Sequence, residues 1–227
     1  MSARFAEPAD ALTRLLRTWK SDGAAQSLTP PVPAWPEGRR LVLGADTALD
    51  LGNPTSGSRA FLLWDATENP GDVHLVGADV PALLERGDRE VSLGLVIRVQ
   101  ADFDEEYDAY LDLKEALYGV ALDGLTLRSM PSQSHLWLRL HRDAAEGGFS
   151  LAHLGAALVD TLGAVEGVSA VQVVFVTDDA VRLAALAPLA DDVQRRVAAL
   201  VKRHEEVDAE CDECEYQDIC DEKEHMS

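Results

Sequence analysis

Apolar residues recur at helical spacing between Pro8 and Lys20, where Leu12, Leu15, Leu16 and Trp19 share one stripe, and this predicts a short amphipathic helix. Four prolines (Pro30, Pro31, Pro33, Pro36) between Ser27 and Gly38 deny both helix and central strand, so this stretch predicts an extended surface linker. Short apolar runs then follow at Leu41–Leu43, Ala60–Trp64, Val73–Val76 and Val91–Val99, separated by Gly, Asn, Pro and Asp, and each predicts a strand. Asp104 to Ala121 returns to the helical period, with acids in its first turn where the positive end of the helix dipole favours them. Leu125–Arg128 and His135–His141 are extended runs, the second alternating Leu136, Leu138 and Leu140 against His135, Trp137, Arg139 and His141. Ser150 caps a helix over Leu151–Leu162, and Val168–Val176 is apolar enough to be a central strand.

From Val91 to Val176 the order is therefore strand, helix, strand, strand, helix, strand, which is the split βαβ order of a ferredoxin-like α/β (α+β) core. Beyond Asp178 the pattern is helical, with Pro188 expected to begin a second helical piece and Val193, Val197, Leu200 and Val201 forming its stripe. The chain thus divides into an N-terminal helix and linker (1–38), an α/β domain (39–203) and an acidic tail (204–227).

Charge changes this picture at the C-terminal end. Forty acids against twenty bases give a formal charge of −20, which disfavours nucleic acid and anionic membrane surfaces as partners. Residues 204–227 hold eleven of the acids and a single Lys, so about half of the excess sits in the last 24 residues. All three cysteines (Cys211, Cys214, Cys220) lie in the same segment. No run approaches ~18 apolar residues and Met1–Asp10 lacks the apolar centre of a signal peptide, so a cytoplasmic protein without membrane insertion is expected. In that compartment an odd number of thiols points to metal or redox chemistry rather than a disulfide framework.

Cys211-x2-Cys214-x5-Cys220 brings two thiolates to one ion from a tight turn and a third from close by, leaving a tetrahedral position for His225, His204, a carboxylate or a partner group. Three thiolates are equally suited to an iron–sulfur cluster with one iron open or ligated otherwise, and nickel or zinc remain alternatives. The other candidates have simpler readings. His135 and His141 stand about 20 Å apart along one strand, too far to share an ion. His153 is expected on a helix surface, and Asp178 and Asp179 are expected to cap a helix. The loop Gly52–Ser58 lacks the Lys-Ser/Thr of a phosphate loop and precedes a strand.

Several segments resemble, in order, the central portion of the β subunit of the acetyl-CoA synthase/carbon monoxide dehydrogenase complex. They are Val73-His-Leu-Val-Gly-Ala-Asp-Val80, Leu93-Gly-Leu-Val-Ile-Arg-Val99, Asp102 to Glu106, His135-Leu-Trp-Leu-Arg-Leu140, Asp143-Ala-Ala-Glu-Gly-Gly-Phe-Ser-Leu-Ala-His-Leu-Gly155 and Val171-Gln-Val-Val-Phe-Val-Thr-Asp178. The resemblance spans about Leu49 to Cys214 and implies that Cys211-x2-Cys214 corresponds to the start of the motif that binds the family's active-site cluster, with Cys220 following at a shorter spacing. The family's nickel site also needs a further Cys and a Cys-Gly-Cys segment, and this sequence has three cysteines and no such segment. Acetyl transfer by this chain alone is therefore not expected. The resemblance implies instead a retained scaffold with a reduced metal-binding tail, which points to a metal-binding accessory or electron-transfer protein whose acidic tail docks on a protein partner with a basic docking face. Two alternatives stay open: a non-catalytic interaction subunit with structural zinc, and a small catalytic relative acting on a one-carbon or acyl substrate.

Overall fold

The computed structural model describes residues 4–28, 33–52, 57–65, 71–130 and 135–212. Its centre is the longest apolar run. Leu93–Ala101 forms β6 and Val168–Thr177 forms β9, and the two lie antiparallel from Leu93↔Thr177 onward. β3 (Arg59–Asp65) adds in parallel to β6, and β4 (Val73–Val76) in parallel to β9. β1 (Ala25–Ser27) closes the far edge against β4, giving the order β1-β4-β9-β6-β3. Strands inside such a sheet are covered on both faces, which is why β4 and β9 read as mostly apolar runs.

Two glycines show which helices cover which face. A Cβ on Gly155 of α5 (Leu151–Gly163) would meet Val73 and Phe175, whereas a Cβ on Gly94 would meet Leu183, Leu186 and Val176. Phe175 and Val176 are consecutive in β9 and point to opposite faces, so α5 and α6 (Ala180–Asp212) sandwich the sheet. α1 (Ala6–Ser21) shares the α6 face, because Arg98, four residues beyond Gly94 in β6, donates to Thr13 of α1. α1 and α6 are tied further by Arg182 to Asp22 at 2.9 Å and by Arg196 to Glu7 at 2.9 Å and to the Arg4 carbonyl. α3 (Glu106–Gly119) packs beside α5 and also reaches α6.

A second sheet has the order β5-β2-β8-β7, built from β2 (Thr47–Leu51), β5 (Glu90–Val91), β7 (Leu125–Met130) and β8 (His135–His141). The chain crosses between sheets at Ser92, which separates β5 from β6. The expected order between Val91 and Val176 is present as β6, α3, β7, β8, α5, β9. β6 and β9 are antiparallel neighbours and β7–β8 a hairpin, as in a ferredoxin-like core, but the hairpin lies in the second sheet instead of pairing beside β6. The mixed α/β class holds.

Local differences have physical causes. Leu41–Leu43 is not a strand: Leu41 and Leu43 are 54% and 56% exposed while Val42 alone is buried. The strand of that region is β2, after a 3-10 turn at Gly44–Asp46. Two short helices, α2 (Val80–Glu85) and α4 (Arg142–Glu146), were not expected. Asp79 caps α2 and also accepts from the Leu151 N–H at 2.8 Å, so one carboxylate holds the starts of two helices. The expected linker is fastened where it is described: Trp35 Nε1 donates to the Asp123 carbonyl at 2.8 Å. Pro188 does not begin a new helix but lies inside α6. The intrahelical hydrogen bond it removes is offset by burial of Leu186, Leu189 and Ala190 around it.

Candidate functional site

α6 runs 33 residues, about 50 Å, from the sheet to the segment that carries the thiols. Cys211 falls in its last turn, while Cys214, Cys220 and His225 lie outside the described residues. The last part of α6 whose side chains are described is held against α3: the His204 ring stacks on Tyr107 with centroids 3.8 Å apart. His204 is therefore engaged in the α3–α6 junction. Among the described residues no group of three or more His, Cys, Asp or Glu is arranged to hold a metal ion, and no helix is long and apolar enough to cross a membrane.

A different polar constellation, not anticipated from sequence, crosses the sheet beneath α1. Arg98 is 4% exposed and Asp65 2%. Nε donates to Asp65 Oδ2 at 2.8 Å, Nη2 to Oδ1 at 3.1 Å and Nη1 to Thr13 Oγ1 at 3.2 Å. The planar fork meets the carboxylate with two bonds, the geometry that keeps a buried pair tolerable. Gln172 stands opposite Arg98 in register and is buried, its Oε1 without a hydrogen-bond partner among the described residues. His74 of β4, 1% exposed, has neither ring nitrogen hydrogen-bonded among those residues, and Asp72 Oδ2 stands 3.7 Å from Nε2.

Burial pushes the His74 imidazole below its ordinary range, the Lys20 ammonium adds to this, and Asp72 opposes it. The unfolded chain therefore takes up the proton first as pH falls. The contribution to stability is complete above the unfolded value of about 6.5 and is lost below it, by up to about 1.4 kcal/mol per pH unit. Urea unfolding at pH 7.5 and 5.5 should show wild type losing more stability on acidification than His74→Phe; equal losses would exclude His74 as the source.

The remaining candidates resolve into structural parts. His141 Nδ1 accepts from the Asp143 N–H at 3.0 Å and caps α4. His153, expected on the surface, is half-buried: Nδ1 accepts from the Ser150 N–H at 3.0 Å, and the ring packs on Trp35 and Phe149. Asp179 caps α6 through the Arg182 N–H at 2.9 Å. Burial pushes its carboxyl up, but the backbone and side-chain N–H groups of Arg182 outweigh this and hold it below the usual range. Asp178 is not a cap; it takes a left-handed φ of 54° and accepts from Arg86 at 2.7 Å. The side chain of His135 and residues 53–56 of the glycine-flanked loop are outside the description, and Gly57 leads into β3 rather than a helix. The buried pair and His74 each leave one sequence signal, a charged or titratable residue inside an apolar run, Leu93–Val99 and Val73–Val76.

No curated protein matches the chain. A family model described as the CO dehydrogenase/acetyl-CoA synthase complex beta subunit matches residues 37–181. The match contains both sheets except β1, together with α2 to α5, and stops at the first turn of α6, thirty residues before Cys211. It spans more than half of the 227 residues, so the chain belongs to the family of the CO dehydrogenase/acetyl-CoA synthase complex beta subunit.

Proposed function

We propose that this protein is a metal-binding accessory or electron-transfer member of the family, assisting a larger metalloenzyme complex. Cys211, Cys214 and Cys220 hold an iron–sulfur cluster, with His225 at a fourth position and nickel or zinc as the alternative occupants. The observation that carries the reading is that the family domain passes without a break into α6, and α6 into the only segment of the sequence that bears thiols.

The donor chemistry fits a metal. Three thiolates are soft, charge-donating ligands, and the eleven acids of residues 204–227 lower the cost of bringing a cation there. The engagement of His204 with Tyr107 favours His225 as the imidazole of the set. A metal bound here would supply a one-electron couple or a transferable ion, while the chain's own residues supply the thiolates and the surrounding negative charge. The donor set does not fit the family's complete nickel cluster, because Cys-Gly-Cys is not in the sequence. The family's description as a complex subunit supports a protein partner.

Iron, sulfide, nickel and zinc analysis of anaerobically purified protein tests the assignment. Near-stoichiometric metal is expected in wild type, falling at least tenfold in Cys211→Ser/Cys214→Ser/Cys220→Ser. Tightly held zinc without iron or sulfide would select the structural-zinc alternative. Equal metal content in wild type and variant would remove the thiols from the account.

A further inference from the structure

α3 has one face packed on the domain through Ala109 and Leu113, and an opposite face that α6 meets at Tyr107 and that is exposed at Leu111 and Tyr118 among the described residues. At about 100° per residue, Tyr107, Leu111 and Tyr118 fall within an arc of about 40° on that outer side. Leu111 is 41% exposed and Tyr118 45%, large apolar side chains where a solvated helix face would carry polar ones. Asp108, Asp112 and Glu115 line one flank of the stripe and are all exposed. Lys114, the one base of α3, reaches across the Tyr110 ring at 5.8 Å instead. The stripe begins at Tyr107, the residue in ring contact with His204 of α6.

We propose that this stripe is the docking surface for the protein partner, and that the partner presents a basic amphipathic segment. Leu111 and Tyr118 supply the apolar contact, and the acidic flank selects positive charge and sets the register. The apolar stripe excludes a purely electrostatic encounter, and the acidic flank excludes nucleic acid and anionic lipid. The proposal rests on the accessory reading above.

The test titrates the full chain, purified anaerobically, with a synthetic cationic amphipathic helix and with a scrambled peptide of identical composition, read by amide chemical shifts at about 0.15 M salt. The expected result is a response centred on residues 106–119, at least tenfold weaker binding of the scrambled peptide, and at least tenfold weaker binding by Leu111→Ser/Tyr118→Ser with unchanged circular dichroism. Asp108→Lys/Asp112→Lys, a second variant that leaves the apolar residues in place, should lose binding as well. Equal binding of both peptides, a response confined to residues 204–227, or a dimer that Leu111→Ser/Tyr118→Ser dissociates would each overturn the assignment. Metal content separates the two readings: loss of α3 binding with metal retained refutes the docking surface alone, and absent metal with α3 binding intact refutes the metal centre alone.

Discussion

Asp65→Ala is expected to lower the unfolding free energy by about 3–5 kcal/mol, a large part of the total for a domain of this size. The substitution leaves the Arg98 guanidinium buried in the sheet without the carboxylate that accepts two of its N–H groups. It cannot escape to water, because α1 lies over it and Thr13 is already bonded to Nη1. The cost is that of an uncompensated buried charge rather than the net worth of the pair. Asp65→Leu/Arg98→Met, which removes both charges, should therefore recover much of the loss. Urea unfolding of the single and double variants checks this. A single variant within about 1 kcal/mol of wild type would show that water reaches the pair.

Gly77→Ala is expected to cost about 2–4 kcal/mol, from two causes that add. Gly77 has φ 102°, a conformation that L side chains rarely adopt, and a Cβ there would collide with the Thr177 carbonyl oxygen. That oxygen is backbone of β9 and cannot swing aside. Thr177 is held from its other end as well, its hydroxyl donating to the Ala78 carbonyl at 2.6 Å. Gly87 is the control: φ is 85°, yet a Cβ would meet nothing within 4 Å, so Gly87→Ala should cost only the backbone term, about 1 kcal/mol. Equal thermal shifts for the two variants would contradict the close approach of β4 and β9 at Gly77.

The strongest elements were legible because one physical cause produced them. β6 and β9 lie inside a sheet covered by helices on both faces, and such strands need long apolar runs. The helices α1, α3 and α5 each keep an apolar stripe at helical spacing. Where two causes competed, the sequence pointed elsewhere. Leu41–Leu43 looks like a strand, but only Val42 faces inward, its N–H bonded to Thr126. Pro188 looks like a helix start, but packing of its neighbours on the sheet carries the helix through it. α2 is only six residues long, although Asp79 followed by Val80-Pro81 is a helix-start signal.

The sites divide in the same way. The thiol segment is visible in sequence because its three cysteines are near neighbours. The Arg98–Asp65 pair joins residues 33 positions apart, and only the parallel register of β3 and β6 brings them together. An Arg in a buried strand demands a partner, but nothing along the chain says which acid supplies it. The exposed stripe of α3 was equally hidden, since an apolar residue at helical spacing does not say which side of the helix is covered, and here Ala109 and Leu113 take the inner face while Leu111 and Tyr118 stand exposed.

The central claim is that residues 211–225 form a metal centre attached to this family's fold, and an absorption and EPR spectrum of the full chain, isolated and dithionite-reduced without oxygen, tests it most directly. The account predicts thiolate-to-iron charge-transfer bands and a reduced-cluster EPR signal, both absent from Cys211→Ser/Cys214→Ser/Cys220→Ser. A colourless, EPR-silent protein whose oxygen-free native mass is that of the bare polypeptide would contradict it.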